Sequence, residues 1–334
     1  MSEAITLGDV AREAGVSPST VSRILNGTAV VAPSKRAAVE AVIEKLGYQP
    51  NVLARGLALG QSMSIGVLIQ EISSPYYAEV LIGIERGLAG TDYHPIVVSG
   101  HWRAEAESEA LDVLLARRVD AIVVMDGRLE HKRLLRTAQN TPTVVVARMI
   151  DGLESQCLRV DNVHGSALGT QHLIDLGHKR IAHIAGPVDN HDAQDRLEGY
   201  KQAFGRARIK FDPDLVSEGD FTERSGLMAM ESLLSRTSNF SALFCANDQM
   251  AFGARLALYR RGIRVPDDVS LVGFDDIPGS SYCTPPLTTV RQPSQEVGLA
   301  AAAAVLDLML GRSPKLPSLP PVLMVRESTS LYRS

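Results

Sequence analysis

With 334 residues, 45% hydrophobic content and a net charge of −4, the chain can fill two or three packed domains. It has neither the composition of a disordered protein nor an apolar run of about 18 residues that would span a bilayer. Cys157, Cys245 and Cys283 are scattered without Cys-x-x-Cys or Cys/His ligand spacing, which argues against a disulfide framework or a zinc site and leaves them as expected buried apolar side chains. Met1 to Ile5 leads directly into a charged helix without a secretory apolar core, so the expected compartment is the cytoplasm and no membrane contact is foreseen.

Leu7, Val10, Ala11 and Ala14 fall at i, i+3, i+4 and i+7, the apolar face of a short helix that Gly15 stops. Ser17 can cap a second helix with Pro18 at its first position; Val21, Ile24 and Leu25 form its inner face, and Asn26-Gly27 ends it. Two helices joined by a tight glycine-containing turn read as a helix-turn-helix. The outward face of the second helix (Pro18, Ser19, Thr20, Ser22, Arg23, Asn26) carries hydroxyls, a guanidinium and an amide but no carboxylate. Such a face suits the major groove of double-stranded DNA, although taken alone it also suits ordinary solvent. Net charge does not decide between them: residues 1–60 carry +1 and the remainder −5, so any DNA contact rests on where the cations lie. Val39, Val42, Ile43 and Leu46 predict a third helix after Pro33. The head is therefore expected over 1–49, all α. Segment 50–62 reads as a linker: Pro50 and Asn51 can start a helix, but Gly56 and Gly60 each weaken it by about 1 kcal/mol. Arg55 and Leu57 would suit a minor groove, the leucine wedged between base steps.

From residue 63 to 334 the rhythm changes. Apolar runs Ile65–Ile69, Ile96–Val98, Ala121–Met125 and Thr143–Ala147 alternate with helical stretches Tyr76–Ala89, Ala104–Ala116 and Leu129–Ala138. A second series follows at Arg180–Ala185, Leu215–Ser217, Ala242–Cys245 and Val269–Phe274, and a last strand is expected at Val322–Val325. Continuous Val/Ile/Leu strands between helices imply parallel sheets covered on both faces, here two doubly wound α/β lobes. No Gly-x-Gly-x-x-Gly, Walker, Gly-x-Ser-x-Gly or metal-ligand motif is present, so no cofactor, metal or catalytic role is expected. His172, His178 and His183 are read as packing around the strand they flank, and the Ala300–Ala304 run as a tightly packed helix interior.

Ligands of such sheets sit beyond the carboxyl ends of the strands. That rule selects Arg148, Asn247, Asp248, Asp275 and Asp276. Carboxylates accept from sugar hydroxyls, Arg and Asn donate to their oxygens, and a ring such as Tyr77 or Phe221 can cover a pyranose face. Helix capping by Asn247 or Asp276 and core packing of Phe221 are the competing readings.

The ordered motifs Asp-Val-Ala-x-x-Ala-Gly-Val-Ser (9–17), Ser-Thr-Val-Ser-Arg (19–23), Leu-Gly-Tyr-x-Pro-Asn (46–51), Ser-Pro-Tyr-Tyr (74–77), Asp-Arg-Leu-Glu-Gly-Tyr (195–200), Ala-Asn-Asp-Gln-Met-Ala (246–251) and Gly-Phe-Asp-Asp (273–276) resemble the lactose/galactose repressor family along almost the whole chain. The resemblance implies a homodimeric repressor of carbohydrate-utilisation genes, with two lobes of periplasmic-binding-protein type that the chain crosses near 161, 292 and 321. It implies base contacts from Pro18, Ser19 and Arg23, phosphate or adjacent contacts from Thr20, Ser22 and Asn26, and a hinge helix containing Asn51, Arg55 and the intercalating Leu57. Effector contacts fall on Arg196, Phe221, Asn247 and Asp275, with Tyr77, Arg148 and Gln292 as weaker matches, and the motifs favour a hexose or glucoside. Two departures are Ala32, where the family caps its third helix with Ser, and Gly56 in the hinge. An exported sugar-binding protein and a purine-responsive regulator are the alternatives.

Overall fold

The structure, a computed structural model, describes residues 5–26, 31–48 and 61–333. The chain divides into two compact units, Met1–Ser62 and Met63–Ser334.

In the first unit, α1 (Leu7–Glu13), α2 (Pro18–Asn26) and α3 (Pro33–Leu46) bury Val10, Ala11, Val21, Ile24, Val39 and Tyr48 in one small core. Thr6 and Asp9 form a reciprocal capping box on α1, a device the apolar spacing alone does not reveal. Ser17 Oγ accepts from the Thr20 amide at 3.2 Å, the cap expected for α2. Ala32 offers α3 no side-chain cap. Ala32→Ser is expected to stabilise the head by about 1 kcal/mol, read as a shift of its denaturant midpoint; an unchanged midpoint refutes the capping argument. Asn51, Arg55 and Leu57, with segment 49–60, lie outside the described residues, as does the side chain of Asn26.

The second unit begins with β1 (Ser64–Ile69), α4 (Pro75–Leu88), β2 (His94–Ser99), α5 (Ala104–Ala116), β3 (Ala121–Met125), α6 (His131–Ala138), β4 (Thr143–Val146) and β5 (Cys157–Leu158). These strands form one parallel sheet in the order β2-β1-β3-β4-β5. After α7 (Asn162–Asp175) come β6 (Ile181–Ala185), α8 (His191–Arg206), β7 (Val216–Glu218), α9 (Glu223–Arg236), β8 (Ala242–Cys245), α10 (Asp248–Arg260), β9 (Ser270–Asp275) and β10 (Thr288–Arg291). The chain then returns to the first lobe as α11 (Ser294–Met309) and ends in the second with β11 (Val322–Met324). The second sheet runs β11-β10-β9-β8-β6-β7, with only the β10–β11 pair antiparallel.

β1, β3 and β4 are buried at nearly every position, as strands covered on both faces must be. α11 packs on α4 and on lobe 1, where Val297, Ala301, Ala302, Ala304 and Val305 join the core. The alanine run is thus a close-packing surface. A Cβ at Gly83 would strike the Gln295 carbonyl and one at Gly298 the Val80 carbonyl, so these two backbones touch.

Several expectations shift. Thr143–Ala147 ends one residue early because Ala147 turns left-handed at φ 69°. Asp275 is the last residue of β9 rather than the first after it. β5, two residues long, and β10, rich in threonine, carry too little apolar signal to be read as strands. Cys157 and Cys245 are buried, but Cys283 is only partly so.

Candidate functional site

The carboxyl ends of both sheets face a cavity of about 610 Å³ between the lobes. Lobe 1 contributes Tyr76, Tyr77, Trp102, Asp126 and Arg148; lobe 2 contributes Asn190, Asp192, Arg196, Phe221, Asn247 and Asp275, with Gln292 on a connecting segment. All seven expected effector residues therefore line one space.

Arg196, on α8, is held from three sides. Its Nε donates to Asn162 Oδ1 at 2.8 Å and Nη1 to the Ala246 carbonyl at 2.6 Å. Its guanidinium lies 4.0 Å from the Phe274 ring centre and 5.8 Å from that of Phe221. The carboxylate of Asp275 is 3.6 Å away and accepts from Gln292 Nε2 at 2.7 Å. Burial pushes the Asp275 pKa up to about 6, although Arg196 and Gln292 pull it down. Asp192 lies one turn before Arg196, at 3.9 Å; burial and then the charge of Asp126 push its pKa up to about 7.

Across the cavity, Arg148 is buried and donates Nη2 to the Leu129 carbonyl at 2.8 Å. Its Nε and Nη1 are buried with no partner. Burial lowers its pKa, against the attraction of Asp126 and Glu107. Two guanidinium N–H groups left unpaired in a cleft cost free energy unless a ligand oxygen meets them. Asn247 does two jobs at once: Oδ1 caps α10 by accepting from Met250 N at 2.9 Å, and Nδ2 donates to the Phe221 carbonyl at 2.9 Å. Capping and lining are thus compatible. The second bond helps keep Phe221 at φ 70°, which turns its ring toward the cavity rather than into the core.

Asp248 and Asp276 are not cleft residues. Asp248 is fully buried beneath β9 and β10, accepting from Ile277 N, Ser280 Oγ and Thr289 Oγ1 at 3.0, 2.6 and 2.5 Å. Asp276 pairs with Arg291 at 2.7 Å and Arg326 at 2.6 Å. A residue's place just beyond a strand end does not say which way its side chain points. The histidines do pack around β6. His183 stacks between Tyr200 and Phe244, His178 joins Ser241 to the Ser330 carbonyl, and His172 meets Thr329.

These buried acids fix a pH dependence. Burial pushes Asp248 up to about 8 and Asp192 to about 7, from an ordinary 3.8, so above pH 4 the folded chain keeps protons that the unfolded chain has lost. Stability therefore falls as pH rises toward those values. His183 is held down to about 4 by burial and slopes the opposite way, but only below its unfolded value of 6.5. Between pH 6.5 and 8 the carboxyl contribution prevails, and stability should drop by about 2 kcal/mol. A thermal melt of the full chain that is flat or rising over that window refutes the assignment.

On the head, Pro18, Ser19 and Arg23 are exposed along α2, and Thr20 and Ser22 are half-buried. Ser17 Oγ lies 2.8 Å from Ser19 Oγ and 2.9 Å from Thr20 Oγ1, so the hydroxyls at the start of this helix share a network.

Both units match known families. Residues 6–51 match the description "Bacterial regulatory proteins, lacI family", and residues 170–329 match "Periplasmic binding protein-like domain". The ribose operon repressor of Escherichia coli (strain K12) is 38% identical over 97% of this chain and 99% of its own length. The HTH-type transcriptional regulator GalR of the same organism is 36% identical over 97% and 96%. The chain belongs to the lacI family of bacterial regulatory proteins. Among solved structures, a lac repressor dimer bound to operator and the anti-inducer ONPF is 31% identical, covers 98% of this chain and 100% of its own, and superposes with a TM-score of 0.87. A complex of the transcriptional regulator CelR with cellobiose is 35% identical over 97% and 99%, with a TM-score of 0.73.

In this lacI-family regulator the cleft also holds residues that sequence reasoning passed over. Asp126 follows β3 just as Arg148 follows β4, so the strand-end rule could have found it. Asn190, His191 and Asp192 belong to the first turn of α8, where helix capping was the only visible signal. Trp102 sits in a left-handed turn at φ 57° that nothing in its sequence neighbourhood announces.

Proposed function

We propose that this chain is a cytoplasmic, homodimeric repressor whose affinity for a double-stranded operator is switched by a neutral sugar, a hexose or glucoside, bound in the cleft. The observation that carries the reading is the pairing, across one cavity, of a buried Arg148 with two unpartnered nitrogens and a buried Asp275–Arg196 pair. A polyol satisfies both: its ring or hydroxyl oxygens accept from Arg148, and its hydroxyls donate to Asp275 and Asp192. Three carboxylates, Asp126, Asp192 and Asp275, line the same space and disfavour an anion. Tyr76, Tyr77, Trp102 and Phe221 offer ring faces for the apolar side of a pyranose.

On the DNA side, we assign base contacts to Pro18, Ser19 and Arg23, backbone contacts to Thr20, Ser22 and Asn26, and hinge contacts to Asn51, Arg55 and Leu57. Dimerisation is supported by exposed apolar side chains on and near α10: Leu256, Tyr259 and Tyr282. Sugar binding changes the angle between the lobes, and a dimer converts that angle into the spacing of its two heads.

The test is operator binding by the full chain, at fixed salt, against a panel of pentoses, hexoses and glucosides. One sugar that shifts operator affinity at least tenfold identifies effector and sign together. Tight operator binding that no sugar moves, combined with no sugar binding by calorimetry, rejects the sugar reading.

A further inference from the structure

The two lobes are joined at the mouth of the cleft by neighbouring pairs. Asp126 Oδ2 accepts from Asn190 Nδ2 at 2.8 Å, and Arg128 donates to Asp189 at 2.9 Å. Both lobe 1 partners come from the 126–129 loop, and both lobe 2 partners lie at the start of α8, where Asn190 Oδ1 caps the helix through Ala193 N at 2.8 Å. The effector residues Asp192 and Arg196 follow on the same helix.

The loop is an unusual shape, with Asp126 and Gly127 left-handed at φ 52° and 96°. It is held from behind by side chains that face away from the mouth. Glu107, on α5, is completely buried and does not line the cavity. Its Oε2 accepts from the Arg128 and Leu129 amides at 2.7 and 2.9 Å. The Leu129 carbonyl is taken by Arg148, and the Met125 carbonyl by Gln70 Nε2 at 3.1 Å. A Cβ on Gly127 would collide with Gln70 Nε2 and Glu107 Oε2. A buried carboxylate with one oxygen accepting two backbone N–H groups and the other unpartnered is a costly residue for a helix interior. An apolar side chain would fill the space more cheaply, but it would orphan both amides.

We infer that Glu107 is a positioning residue for the effector: by holding the 126–129 loop in place it sets how far lobe 1 and lobe 2 are closed on one another before any ligand arrives. The inference rests on the cleft being the effector site, but its readout needs no ligand, so its failure and that of the sugar reading are separable.

The chain contains one tryptophan, Trp102 in lobe 1, whose ring lies 6.1 Å from that of Phe221 in lobe 2. Acrylamide quenching of Trp102 in the ligand-free full chain therefore reports closure. Glu107→Gln, close to isosteric, should raise the quenching constant roughly twofold by shifting the population toward open forms. Asn190→Ser keeps a capping oxygen for α8 but loses the reach to Asp126, and should do the same. The double variant should show no more quenching than the larger single one, because both act through one contact. Parent-like quenching of Glu107→Gln, or effects that multiply in the double variant, overturn the inference. Should Glu107→Gln also lower the melting temperature markedly, Gly127→Ala must open the cleft in its place; parent-like quenching there overturns it equally.

Discussion

Replacing Arg196 by alanine should abolish the effector response, weakening sugar binding at least about 100-fold and costing the fold about 3 kcal/mol. The size follows from how many groups depend on this one side chain. Asn162 Oδ1 and the Ala246 carbonyl lose their donors, the Asp275 carboxylate loses its nearest cation, and the Phe274 face loses the guanidinium above it. Asn162 begins α7 just after the chain crosses from lobe 1, so a defect here also loosens the segment about which the lobes turn. Arg196→Lys separates charge from shape. An ammonium keeps the charge but cannot serve Asn162 and Ala246 together while covering Phe274, so it should recover part of the stability and little of the binding. Calorimetry with the identified sugar and a thermal melt give the two numbers; parent-like sugar affinity in either variant would falsify the assignment.

The second large effect is expected on the operator. Arg23 is exposed on the outward face of α2, and a bidentate contact from an arginine to guanine is worth about 1–3 kcal/mol of discrimination. Arg23→Ala should thus weaken operator binding by about 10- to 100-fold and relax preference at one base position, leaving the melt of the effector domain unchanged. A loss that is uniform across operator variants and reduces the salt dependence by about one phosphate would instead make Arg23 a backbone contact. No loss at all would remove it from the interface.

The elements that sequence made visible are those whose burial imposes a simple pattern. β1, β3, β4 and β8 are continuous apolar runs because helices cover both faces, and α1 to α3 repeat every three to four residues because one stripe of each is buried. β5, β10 and the antiparallel β11 escape that logic. They are short or polar, and they exist because a neighbouring strand leaves an edge to be paired. The site divides along a similar line. Residues at strand ends, such as Arg148 and Asp275, were legible from topology. Those whose part depends on lobe 1 meeting lobe 2, such as Asp126, Asn190 and Asp192, were not, since closure is a property of packing across more than 60 positions of sequence. Asp248 shows the converse: it satisfies the strand-end rule, yet its three hydrogen bonds turn it into the floor beneath β9 and β10.

The return of α11 to lobe 1 has a consequence for the order of events on the ribosome. β1 to β5 emerge early, but the surface of α4 stays uncovered until residues 294–309 have been made, after almost all of lobe 2. The first lobe to be synthesised is thus the last to be finished. A nascent chain halted before Ser294 would expose Val80, Ile84 and the backbone around Gly83, a face shaped to receive a helix. Such a fragment should engage chaperones or aggregate, and adding α11 in trans as a peptide should relieve it.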